Sequence, residues 1–230
     1  MVYFGNIPER PYGPPYLLDI PFRGETLPIA AIIDLTESKT IEIMDRKELD
    51  ESLRSMIQMV YKRFEKNCLA KPTLTQGDSI ELLVNNWKPI IFLFHKILLM
   101  ELDFKVGLGT STIHLFRENA DECDGPAFWN AREALEEIKK MKRKKVIASF
   151  KVESGTPKDE IIYITSSILF LTNLKMLTLS QLKYCYYYMW ERKKISEIAE
   201  ITKTSKGNVS KNLSKTQCYT LTRLISWLEA

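Results

Sequence analysis

No two cysteines in this chain have the spacing of a metal knuckle or a redox motif. Cys68, Cys123, Cys185 and Cys218 lie far apart, and none forms a C-x-x-C pair or clusters with histidine. That excludes a disulfide scaffold or a zinc ribbon as the organising device, and isolated thiols fit a reducing, cytoplasmic setting. Histidine is scarcer still. His95 and His114 are the only two; without partners at metal-ligand spacing, both read as structural. Also missing is an apolar run long enough to cross a bilayer, the longest being 161–171 and 89–100. The first ten residues lack the charged and apolar regions of a signal peptide. No internal repeat or low-complexity tract appears. What remains is the composition of a soluble globular protein with no membrane partner. Its 230 residues are 45% hydrophobic and 27% charged, enough for one large domain or two small ones.

Charge is unevenly placed. From Thr178 to the end there are nine Lys or Arg against four Glu, a surplus of five. With the whole chain at +4, the remainder is one unit negative. A basic C-terminal quarter suits a local polyanion contact.

The Pro-, Gly- and aromatic-rich residues 1–24 read as an N-terminal arm. Residues 25–154 then alternate between strand and helix signals. The apolar run 27–33 suits a buried strand. Asp45 with Glu48 resembles a capping box opening a helix through Asn67, with Leu49, Leu53, Met56, Ile57, Val60 and Phe64 on one face. Strands at 73–76 and 79–84 flank a tight turn at Gly77-Asp78. A helix around 87–98, a strand at 104–108, a helix from Pro126 to Met141 and a strand at 146–152 follow. The order β-α-β-β-α-β, then α-β, predicts an α+β fold: the ferredoxin-like plan with one added αβ element. Residues 155–177, after a boundary at Ser154–Pro157, read as a linker helix, and 178–230 as an all-α domain.

In that last domain the apolar period marks four helices. Ser205 is placed to cap the third, Val209 and Leu213 face its core side, and Ser205, Lys206, Asn208, Ser210, Lys211, Asn212 and Lys215 are the candidate DNA contacts. Asn can bond adenine bidentately, and Lys can reach guanine or phosphate. The segment from Ile195 to Leu213 resembles the helix-turn-helix of sigma-factor region 4 and LuxR-type regulators. Lys203 stands where that pattern usually has Gly, which predicts a strained left-handed residue in the turn.

Asp34 ends the first strand and Asp78 sits in the hairpin beside it, so the two are candidate ligands for Mg²⁺ carrying a triphosphate. With Gly77, Asn130 and Arg132 as candidate nucleotide contacts, this pattern resembles the palm of class III nucleotidyl cyclases and GGDEF diguanylate cyclases. Asn130 and Arg132 are two residues apart, about 200° around a helix, rather than sharing one face. A resemblance to the SatD family covers nearly the whole chain. It rests on Asp34-Leu35-Thr36-Glu37-Ser38, on Gly77-Asp78-Ser79-Ile80-Glu81, and on Asp124-Gly125-Pro126-Ala127-Phe128-Trp129-Asn130-Ala131-Arg132. The resemblance implies a palm-like domain followed by a helix-turn-helix. Three functions stand open: a DNA-binding regulator with a nucleotide-sensing or dimerising domain, a Mg²⁺-dependent nucleotidyl cyclase or transferase with a DNA-binding tail, and a non-catalytic protein–protein scaffold. DNA, a nucleotide ligand and a second copy of the chain are the partners these imply. Mg²⁺ with a nucleotide is the only cofactor.

Overall fold

The computed structural model describes residues 27–36, 46–75, 78–141, 147–152 and 158–227. The N-terminal arm, Gly77, the Asp45 cap and the Ser154–Pro157 boundary lie outside these. Among the described residues there are five strands and eight helices, a mixed α+β fold. In chain order they are β1 (Ile29–Thr36), α1 (Arg46–Arg63), β2 (Thr73–Thr75), β3 (Ser79–Val84), α2 (Lys88–Leu99), β4 (Asp103–Thr110), α3 (Pro126–Lys140), β5 (Ala148–Val152), α4 (Lys158–Lys175), α5 (Leu179–Met189), α6 (Ile195–Ile201), α7 (Lys206–Ser214) and α8 (Cys218–Trp227). No helix among them is long and apolar enough to cross a membrane.

The strands form one sheet in the order β2-β3-β1-β4-β5, antiparallel throughout except for the parallel pair β4-β5. The two-residue period of β1 divides the core. Ile29, Ala31, Ile33 and Leu35 join a cluster with α1, α2 and α4, while Ala30 and Ile32 join a smaller one with α3. α3 lies close because β4 offers it no side chains there. A Cβ on Gly107 would fall 1.9 Å from the Ala131 carbonyl oxygen, and one on Gly109 would fall 2.1 Å from that of Ala127. Only glycine fits at either place.

The larger cluster continues without a break into α5–α8, taking in Leu182, Ile198, Val209, Leu213 and Leu221. At the joint, His95 on α2 is fully buried. Its Nε2 donates to the Leu182 carbonyl at 2.9 Å, and its Nδ1 accepts from the Trp190 indole at 3.1 Å. One nitrogen must carry the proton and the other must not, so the ring is neutral, and burial lowers its pKa from 6.5 to about 4. Phe92 meets Trp190 edge-on at 5.0 Å, and Arg63 reaches Glu191 at 3.0 Å. The helix expected as a linker, α4, packs into this core through Ile164, Phe170, Leu171 and Leu174.

Candidate functional site

Ala30 and Ile32 face α3, so the pleat sends Asp34 to the same face, opposite Ser79 on β3 and Lys105 on β4. Its Oδ2 lies 3.2 Å from the Nζ of Lys139 in the last turn of α3. Asp78 precedes β3, exposed, and its carbonyl accepts from the Leu35 N–H at 2.9 Å. The backbones of Asp34 and Asp78 thus stand on adjoining strand ends. Among the described residues, no three His, Cys, Asp or Glu side chains are grouped to hold a metal ion. The Lys139 ammonium supplies a positive charge beside Asp34.

Further along this face, Glu81 sits opposite Ile32. Its Oε2 is buried and has no hydrogen-bond partner among the described residues. Burial raises its pKa, against the opposing pull of the Arg132 charge. Arg132 itself lies 3.5 Å from the Asp124 Oδ1 and over the Phe128 ring. The Asp124 Oδ1 also accepts from the Trp129 indole at 2.9 Å; that bond, with help from the Gly125 N–H and Arg132, holds its pKa below the usual carboxylate range. Asn130 turns elsewhere, donating to the Thr110 carbonyl at 3.4 Å. Arg132 and Asn130 therefore serve different partners.

The second candidate surface is α7. The Ser205 hydroxyl caps it, accepting from the Asn208 N–H at 3.1 Å. Val209 and Leu213 are fully buried, while Lys206, Ser210, Lys211 and Lys215 are exposed. Asn208 is already engaged. Its amide nitrogen donates to the Thr204 hydroxyl at 2.9 Å and the Tyr184 hydroxyl at 3.2 Å, and its Oδ1 accepts from Asn212 at 2.9 Å. Before α7 the chain turns through Lys203 at φ +52°, the left-handed conformation expected where glycine is missing. α6 opens with the Lys194 N–H donating to the Glu197 carboxylate at 2.7 Å.

A family model described as the SatD family matches residues 28–223. This chain belongs to the SatD family. No curated protein gives a significant match. In this SatD chain the segment Asp124–Arg132 is a docking device for α3. Gly125, at φ +151°, passes so close to the 112–114 backbone that a Cβ would lie 2.7 Å from the His114 nitrogen. Pro126 starts the helix, and Ala127, Phe128 and Ala131 press it onto the sheet. Sequence reasoning missed three groups on these candidate surfaces. Glu81 appears there only as a motif letter, although its alternation with Ile80 and Leu82 marks it as lying on the α3 face. Lys139 lies at the basic end of its helix, and nothing local connects it with Asp34. Tyr184 carries no site signal in the sequence, yet it is buried and bonded to α7.

Proposed function

We propose that this SatD-family chain is a DNA-binding regulator of transcription, with α6, the Lys203 turn and α7 acting as a helix-turn-helix and α7 as its recognition helix. The observation that carries the reading is α7 itself. It is anchored by Val209 and Leu213, capped by Ser205, and offers Lys206, Ser210 and Lys211 to solvent with no acidic residue along it. Asn208 and Asn212 form a bonded row on the helix that holds polar groups in a set geometry. A symmetric operator would need two copies of the chain. On and just beyond α4, Ile162, Leu169 and Met176 are exposed at seven-residue spacing, a surface suited to that pairing. The antiparallel order β2-β3-β1-β4, with α1 and α2 as crossovers, supports a ferredoxin-like, cyclase-like domain with β5 added, serving as nucleotide sensor or dimerisation platform.

Fluorescence anisotropy on random and selected duplexes across a salt series tests the DNA reading. Removing one phosphate contact lowers the slope of log affinity against log salt by about 0.9. The double variant Lys206→Ala/Lys211→Ala should therefore flatten the slope by nearly two. Binding that never exceeds the non-specific level at low salt would sink the proposal.

A second reading, a nucleotidyl cyclase or transferase using Mg²⁺, draws on the adjacency of Asp34 and Asp78. It requires Lys139 to give way. Incubation with ATP or GTP plus Mg²⁺ or Mn²⁺, with products separated by chromatography, should show turnover that Asp34→Ala abolishes.

A further inference from the structure

A cavity of about 540 Å³ lies where the helices of the sheet domain meet the C-terminal helices. Its wall joins Lys96 of α2, Lys183, Tyr184 and Tyr187 of α5, and Thr202 and Lys203 of the turn before α7. Three lysines from three elements line it, and none of its lining residues is acidic. Glu191, the carboxylate whose charge acts on Lys96, is itself held by Arg63 and the Tyr186 hydroxyl. Lys96 is partly buried, its Nζ lies 5.1 Å above the Tyr186 ring, and burial pushes its pKa down, so an anion in the cavity would relieve a desolvation cost. The Tyr184 hydroxyl accepts from Asn208, which leaves its own hydrogen to donate. No arginine borders the cavity to grip a planar carboxylate with a two-pronged fork. Separate lysine point charges suit a tetrahedral phosphate instead, and the tyrosine rings suit a flat heteroaromatic body.

We propose that this cavity is a binding site for a sugar phosphate ester that carries a flat heteroaromatic ring, the nucleoside monophosphate class, and that its occupancy is felt at α7 through Tyr184–Asn208 and the Lys203 turn. This site is distinct from the Asp34 face of the sheet and does not depend on the DNA reading. The test is isothermal titration of the full chain with AMP and, separately, adenosine, in the absence of DNA. AMP should bind and adenosine should not. Lys183→Glu should weaken AMP about tenfold or more, since it reverses one of three charges. Lys203→Gly should weaken it severalfold while raising the melting temperature, because glycine tolerates φ +52°; loss of binding in a more stable protein cannot be misfolding. Absence of AMP binding, or wild-type binding by both variants, would overturn the proposal. AMP affinity lost in Asp34→Ala but kept in the lysine variants would place the ligand on the sheet and overturn it too. If a DNA duplex binds and AMP does not, with Lys183→Glu weakening the duplex, the cavity belongs to a nucleic-acid surface and the small-ligand assignment fails. A chain that binds AMP but no duplex would reject the DNA reading alone.

Discussion

Glu81 has a buried carboxyl oxygen with no partner among the described residues, and its position in β3 puts it there. Desolvation is the largest influence on it and raises its pKa above 4.5. A raised folded-state value favours the protonated form, so the stability this group supplies is complete in acid and is lost as pH rises through that value. At neutral pH the charged form is a liability. Glu81→Gln should therefore stabilise the fold at pH 7 by on the order of 1 kcal/mol, with the gain vanishing near pH 4. Urea midpoints at the two pH values check this, and a variant destabilised at pH 7 would show that Arg132 already satisfies the carboxylate. Asp34 is the opposite case: its carboxylate has Lys139 at 3.2 Å, both partly exposed, a pairing worth little to stability.

Among elements, α3 and α7 involve glycines with opposite consequences. Gly109 lies under α3, where a Cβ would meet the Ala127 carbonyl oxygen at 2.1 Å, backbone that cannot step aside without lifting the helix. Gly109→Ala should cost about 3 kcal/mol or more, seen as a lowered melting temperature, by overpacking the helix against the sheet. Gly207 lies in the first turn of α7, where a Cβ would have nothing within 4 Å. Gly207→Ala should add up to about 1 kcal/mol by restricting the unfolded chain and favouring helix. Affinity for DNA should hold in that variant if the added methyl faces solvent, whereas a drop without loss of stability would mean that the backbone at Gly207 approaches a partner closely.

At the level of the whole molecule, His95 is where the sheet domain and the C-terminal helices share one buried hydrogen-bond chain, from the Trp190 indole through the ring to the Leu182 carbonyl. Protonation would place two donors face to face at Nδ1. The folded pKa of about 4 lies below the ordinary 6.5, so the stability tied to the neutral ring is complete above pH 6.5 and is withdrawn as pH falls toward 4. Over that range the loss is about 3 kcal/mol. Wild type should lose stability across it more steeply than His95→Gln, measured by chemical denaturation at pH 7 and about 4.5. Equal slopes would show that the ring protonates without breaking the joint. The core continuous through this joint also means that the C-terminal helices are not an independent appendage of the sheet.

Local signals determined much of this protein. The apolar run of β1, the turn signal before β3, the 3.6 period of α1 and α5–α7, the Ser205 cap and the proline opening α3 each express an interaction within a few residues, so they are legible in order along the chain. The strained turn at Lys203 is legible for the same reason. Only tertiary structure decided which groups meet. Lys139 on Asp34, Asn208 on Tyr184, Asn130 on Thr110, and His95 sealed under Trp190 all join residues distant along the chain. Those meetings follow from how the helices are set against the sheet and against one another. Placement of that kind is fixed by packing across the fold, which no stretch of neighbouring residues encodes.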